Sequence, residues 1–258
     1  MNIESKTILI TGASTGIGKA TAQKLMEQPH HLLLLARRKE KILDWIDQIP
    51  PSQIKATFEI YALDVSCKED VDAFFEQLEH DLITLHVLVN NAGFAKGIDT
   101  VRNASAQDWQ DMMQTNFFGA FYMAQQALKL MPRHAGSRII NVGSIAGLQA
   151  YAKGGGYCAS KFSLRALTQT LRNELLEDGI GVGSIDPGLV ETEFSKVRLG
   201  DDVKAKQVYQ GMTPLFAEDI AEMIAFMISR PPHVNIDQLV TMPTAQASAH
   251  YVFRKEKL

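Results

Sequence analysis

The sequence predicts one α/β domain, a Rossmann-like doubly wound parallel sheet of about seven strands with helices on both faces. Three observations predict it. Strand-length runs of Ile, Leu and Val alternate with helix-length amphipathic stretches from end to end. Those apolar runs are continuous, the pattern of strands covered on both faces, rather than alternating as in half-exposed strands. A chain of 258 residues, 46% apolar and 21% charged, can bury a substantial core in one large domain.

The elements follow in order. KTILIT reads as the first strand, and TGASTGIG is a glycine-rich turn opening a helix over 16–28. HLLLLA is the second strand, followed by a helix over 39–49; FEIYALD is the third, followed by a helix over 68–80. LHVLVN is the fourth strand, and a long helical pattern covers 108–131, where Asn116 and Gly119 are poor helix formers and imply a local kink. RIINVG is the fifth strand. After it Gly154, Gly155 and Gly156 read as a flexible turn before a helix over 157–177. GVGSID is the sixth strand, 218–229 a helix, and NIDQLVTM a weaker last strand. The stretch 191–214 lacks a clear period, and that length without regular structure marks a substrate-side loop or lid. No linker or short repeat divides the chain, so 1–258 is expected to be one domain.

Composition narrows the partners. A formal charge of -3 creates no field to gather DNA, RNA or anionic lipid. The opening MNIESKTILITG lacks a basic region followed by an apolar run, and no later apolar stretch approaches about 20 residues, so a cytoplasmic protein without membrane association is expected. Cys67 and Cys158 lie far apart, without CxxC spacing or a nearby His cluster, and read as reduced thiols rather than metal ligands or a disulfide.

In a doubly wound sheet the ligand sits at the carboxyl ends of the strands. Gly12, Gly16 and Gly18 follow the first strand and let the backbone turn tightly and offer helix N-terminal amides to a pyrophosphate; Ser14, Thr15 and Ile17 lie in the same turn. The spacing is GxxxGxG rather than GxGxxG, and a plain tight turn is the alternative. At the end of the second strand Ala36 stands where an NAD-binding fold commonly carries a ribose-binding acid. Arg37 and Arg38 follow it with planar forks suited to the phosphate of NADP, a solvated basic helix start being the other reading. At the third strand end Asp64 can accept from an adenine amino group or start a helix, and Val65 can pack on the ring.

These motifs resemble the short-chain dehydrogenases/reductases in their single-domain form, over nearly the whole chain. TGASTGIG, the NNAG of 90–93, Asn116, Ser144, Tyr157 with Lys161, and Pro187-Gly188 fall in family order and at family-like intervals. The resemblance implies that Ser144, Tyr157 and Lys161 form a catalytic site and that Asn116 helps hold a water linking Lys161 to solvent. Tyrosine is a poor acid or base at neutral pH, its ordinary pKa being about 10. Lys161, one helical turn from Tyr157, supplies a charge that favours its ionisation. Tyr157 would then exchange a proton with the substrate oxygen while hydride moves to or from the nicotinamide, and Ser144 would orient that oxygen. Asn91 and Gly93 are expected to line the cofactor, with Asn90 structural; Pro187, Gly188, Val190 and Thr192 would pass beneath the nicotinamide, Thr192 at its carboxamide.

DPGLVETEFSKVR and HVNIDQLVTMPTAQ are similar to segments of bacterial NADP-dependent 3-hydroxy acid dehydrogenases, the group that includes serine and L-allo-threonine dehydrogenases. Lys153, Gly155 and Gly156 depart from that group. The resemblance thus implies an NADP-dependent enzyme acting on a small 3-hydroxy acid or its oxo form; a 3-oxoacyl or general carbonyl reductase and a non-catalytic NADPH-sensing module are the alternatives. It also implies a homo-oligomer, with tetramers common. A substrate carboxylate calls for a cation, for which Arg198 in EFSKVRLGDD is the candidate and Lys153 the second choice, unless Arg198 pairs with Asp201 or Asp202 on the surface.

Overall fold

A computed structural model describes residues 5–255. Its first half runs β1 (Thr7–Thr11), α1 (Gly16–Met26), β2 (His31–Ala36), α2 (Glu40–Ile46), β3 (Thr57–Ala62), α3 (Lys68–His80), β4 (Val87–Asn90) and α4 (Ala106–Met113). A π turn over Gln114–Gly119 joins α4 to α5 (Ala120–Leu130), followed by β5 (Arg138–Val142), α6 (Gly155–Glu174), β6 (Gly181–Pro187) and β7 (Val190–Glu191). Then come α7 (Phe194–Leu199), α8 (Asp202–Gln207), β8 (Leu215–Phe216), α9 (Ala217–Ile228) and β9 (Gln238–Thr241).

Seven strands form one sheet in the order β3-β2-β1-β4-β5-β6-β9, and every pairing in it is parallel. Successive side chains of a strand point to opposite faces, so a continuous apolar run feeds two cores at once. Ile8, Ile10, Leu32 and Leu34 pack with Leu25, Ile42, Trp45 and Ile224, from α1, α2 and α9, on one face. Leu9, Leu33, Leu35 and Leu88 pack with Val71, Phe75, Met123 and Leu171, from α3, α5 and α6, on the other. Each such side chain contributes about 1.5–3 kcal/mol by leaving water, which fixes the register of the strands that carry the loops. The strand order reverses between β1 and β4, and the crevice at their carboxyl ends is where such a sheet binds ligands.

Three expectations change. The helix expected over 108–131 begins at Ala106 and is interrupted by the π turn at Asn116 and Gly119. A Cβ on Gly119 would lie 2.8 Å from Val65 Cγ2 and 3.0 Å from Val65 O, so the turn lets the helix touch the chain beyond β3. Secondly, Gly155 and Gly156 are not a flexible turn; they are the first residues of α6. A Cβ on Gly155 would stand 2.7 Å from the Trp109 ring, and one on Gly156 2.6 Å from Met112 Cε, so close packing on α4 selects glycine there despite its poor helix propensity. Finally, 191–214 is not irregular: it holds α7, ended by Gly200 at φ 62°, and α8, while Val190 and Leu215 pair in the short β7–β8 ladder that frames it.

Candidate active site

A cleft of about 520 Å³ opens at the carboxyl ends of β1, β2, β4, β5 and β6. Its floor is the turn between β1 and α1. Gly12 and Gly16 have φ of 68° and 54°, a region that disfavours side chains. A Cβ on Gly18 would sit 2.3 Å from Gly12 O, so α1 can start against the turn only with glycine at this position. Ser14, Thr15 and Ile17 line the cleft beside them. Asn91 ties the turn across the switch point: its Nδ2 donates to Thr11 O at 2.9 Å and Gly12 O at 3.2 Å. Asn90, by contrast, is buried and donates to Ala120 O and Asn141 Oδ1.

Ala36 closes β2 buried, and Arg37 and Arg38 follow it exposed on the rim of the cleft. Asp64 also reaches the cleft, but its Oδ1 accepts from Ser66 N at 3.0 Å and Ser66 Oγ at 2.7 Å, so it holds the turn leading into α3 as well. Val65 is buried beside it. A glycine cradle without side chains to obstruct a pyrophosphate, two guanidinium groups and no acid at the end of β2 fit a dinucleotide carrying a ribose phosphate. Pro187, Gly188, Val190 and Thr192 line the opposite wall. The Thr192 side chain approaches to 3.4 Å of where a Gly16 Cβ would be, so the chain just after β7 faces the cradle directly.

Ser144, Tyr157 and Lys161 converge in the same cleft. Ser144 follows β5; its Oγ accepts from Ala146 N at 3.1 Å, and its side chain also faces the Tyr157 phenol. Tyr157 and Lys161 lie one turn apart on α6, both buried, with Lys161 Nζ 5.9 Å from the Tyr157 ring centre. Burial pushes the Tyr157 phenol above its ordinary range, and its interaction with the Ser144 side chain opposes that rise. The Lys161 ammonium donates to Val142 O at 2.8 Å; burial lowers its pKa from 10.5 to about 8, against the opposing charge of Asp186. Asn116 is the buried hub of the π turn: its Oδ1 accepts from Phe94 N, and its Nδ2 donates to Phe94 O and Ser160 Oγ, each at 2.9 Å. A Cβ on Gly93 would lie 3.0 Å from Asn116 Oδ1 and 3.6 Å from Lys161 Nζ, so these two groups face the same small space.

On the substrate side, Arg198 of α7 turns inward. Its Nη1 donates to Tyr151 Oη at 3.0 Å and its Nη2 to Lys153 O at 3.4 Å, with the guanidinium 5.5 Å from the Tyr151 ring centre. Arg198 Nε is buried without a partner. The surface pairing considered for Arg198 is not formed: Asp202 pairs with Lys196, and Asp201 pairs with Lys204 and caps α8. Lys153 stays exposed on the rim of the glycine loop at φ 64°. Phe194 covers the Tyr157 ring edge-on at 5.3 Å between centres.

This arrangement of turn, serine and tyrosine-lysine pair coincides with a known family: the profile of the short chain dehydrogenases matches residues 6–202. The chain belongs to the short chain dehydrogenase family. Within this family it is 39% identical over 255 residues to an NADP-dependent 3-hydroxy acid dehydrogenase of Schizosaccharomyces pombe, covering 98% of each chain. An NADP-dependent 3-hydroxy acid dehydrogenase of Escherichia coli is 36% identical over 244 residues, 94% of this chain and 96% of that one. Among solved structures, a closed form of serine dehydrogenase complexed with NADP+ superposes with a TM-score of 0.86 at 34% identity, over 97% of this chain and all of the other.

Three residues of this dehydrogenase escaped the sequence reading. Tyr151 holds Arg198, and its only signal was an aromatic residue amid the glycines. Gln246, buried, accepts from Leu189 N at 2.8 Å and lines the cleft from the C-terminal segment, which carries no motif to mark it. Asp186 was visible as a carboxylate inside an otherwise uncharged strand, GVGSIDP.

Proposed function

We propose that this chain is an NADP-dependent oxidoreductase that interconverts a small 3-hydroxy acid and its oxo form. The observation that carries the reading is the meeting of Ser144, Tyr157 and Lys161 with the inward guanidinium of Arg198 in one cleft. The relatives named above support both the cofactor and the hydroxy acid.

The cradle of Gly12, Gly16 and Gly18 would hold the pyrophosphate and Arg37 and Arg38 the ribose phosphate, Thr192 lying at the nicotinamide end. The cofactor supplies the hydride acceptor, or in reverse the donor. The hydroxyl of Ser144, which faces the Tyr157 phenol, would donate to the substrate oxygen bound between them and fix its position. In oxidation the phenolate of Tyr157 takes the proton from the hydroxyl oxygen as hydride leaves the carbon that bears this oxygen, giving a carbonyl; in reduction the phenol returns the proton. Burial keeps that phenol protonated against the Ser144 side chain and the Arg198 charge; the positive charges of Lys161 and of an oxidised nicotinamide would add to these in making it a base. Asn116 keeps an acceptor lone pair for a water between Lys161 and solvent. Arg198 binds the carboxylate with its guanidinium group, and α7 and α8 close over it as a lid.

Exposed Ile98 and Val197 at the mouth favour, as a second reading, a carbonyl reductase for bulkier uncharged substrates. Exposed Phe118 and Phe162, together with Phe226 and the edge residue Val240, suit a homotetramer, which light scattering would distinguish from a monomer. The free thiols of Cys67 and Cys158 suit the cytoplasm, a placement that cell fractionation tests. The deciding experiment is a panel of hydroxy acids, esters and ketones followed by nicotinamide absorbance with both cofactors. Activity confined to uncharged carbonyls would reject the acid. Tyr157→Phe is expected to abolish turnover while NADPH binding survives; retained turnover would reject the proton-transfer role.

A further inference from the structure

We propose that Asp186 is a positioning residue of the catalytic pair, its carboxylate fixing the backbone of Ser144 and acting as counter-charge to the Lys161 ammonium. The inference rests on the role given to Lys161 above. Asp186 lies in β6, an interior strand between β5 and β9, and is only 3% exposed. A carboxylate there is costly to desolvate and must be repaid by specific partners. Its Oδ1 accepts from Ser144 N at 3.1 Å; its Oδ2 accepts from Ser184 Oγ at 2.9 Å and Gln238 Nε2 at 2.8 Å. All three donors are neutral, and an asparagine could satisfy them with a flip of Gln238. The hydrogen bonds therefore explain a polar residue at this position but not a charged one.

The charge has its complement on α6. Lys161 Nζ donates to Val142 O, and Asp186 accepts from Ser144 N, so ammonium and carboxylate grip the same three residues at the end of β5 from two elements. The residue between them is shaped by this grip: a Cβ on Gly143 would fall 1.8 Å from Asp186 Oδ1. Among the groups that act on Lys161, Asp186 is the one that favours its protonation against burial. Tyr157 is the titratable neighbour on α6 itself, the π turn presents only neutral Asn116, and Tyr151, Cys158 and Arg198 act on Tyr157. The arrangement keeps the lysine charged in a site that would otherwise neutralise it.

The test reads Lys161 in the protein without substrate. Competitive acetic anhydride labelling, followed by peptide mass spectrometry across neutral to alkaline pH, gives the protonation midpoint of Lys161. The midpoint is expected at about 8 in the native protein and lower in Asp186→Asn, with the alkaline fall of kcat moving in the same direction. Ser184→Ala, which removes a hydrogen bond but no charge, should leave it unmoved. Should Asp186→Asn fail to fold, Gln238→Lys on the exposed edge strand neutralises Asp186 instead and is expected to lower the midpoint likewise. A folded Asp186→Asn or Gln238→Lys with an unchanged Lys161 midpoint overturns the proposal, even where turnover falls. A lowered midpoint in a protein inactive on every hydroxy acid would uphold this coupling while rejecting the assigned reaction.

Discussion

Arg198→Ala separates recognition of the carboxylate from everything else the cleft does. The guanidinium is already aligned by Tyr151 Oη at 3.0 Å and Lys153 O at 3.4 Å, and its Nε has no protein partner. Little side-chain freedom is left to lose when an acid binds, so the bond it forms is felt nearly in full. A hydrogen bond between charged groups contributes about 1.5–3 kcal/mol, and about 1.4 kcal/mol is a factor of ten. Removing it should lower kcat/KM for a hydroxy acid roughly 10- to 150-fold, mostly through KM. The same truncation strips a cation from the face of Tyr151, worth about 0.5–1 kcal/mol at such exposure, and this part falls on every substrate. The assay therefore compares a hydroxy acid with its methyl ester, which keeps the reacting hydroxyl and loses the charge. The ester should lose no more than about fivefold, a margin set by that smaller contact. Equal losses for acid and ester would show that Arg198 only supports the wall of the cleft and would refute the reasoning.

Two further outcomes follow from the site. Replacing Arg37 and Arg38 together by Ala should erase most of the preference for NADP over NAD, since two exposed guanidinium groups and no acid border the end of β2; an unchanged ratio of kcat/KM for the two cofactors would place the phosphate elsewhere. Lys161→Met should inactivate the enzyme yet raise its stability near neutral pH, because the buried ammonium, lowered from 10.5 to about 8, costs on the order of 3 kcal/mol at about 1.36 kcal/mol for each pH unit. The folded protein resists protonation more than the unfolded chain, so the native penalty is full below about 8 and fades as pH rises toward 10.5. Urea unfolding should find the advantage of the Met variant largest below that window and shrinking through it; a pH-independent difference would mean that the charge is not what burial penalises.

The central strands were legible because each feeds two apolar cores, so Leu32 to Leu35 read as a single run. β9 was faint for the opposite reason: it is an edge strand, with Gln238 and Val240 exposed. α7 and α8 span six residues each and carry too few apolar positions to show a period. Gly155 and Gly156 misled because intrinsic propensity was overruled by contact with Trp109, 46 residues earlier in the chain. Ser144, Tyr157 and Lys161 were marked by their order and intervals within a family resemblance, but the direction in which Arg198 points was not. Its partner Tyr151 lies 47 residues away, and local sequence offered Asp201 and Asp202 instead.

The chain has two tryptophans, and the packing gives each a separate view of the molecule. Trp45 is sealed under β2 on α2, the helix that follows the arginine pair, whereas Trp109 lies against Gly155 and Gly156, one residue from Tyr157. Their fluorescence is thus a built-in pair of gauges. A chain with only Trp109 reports by its emission on the start of α6, and one with only Trp45 reports on the packing of α2 beneath β2, so motion at the two ends of the cleft can be timed separately without attaching a dye.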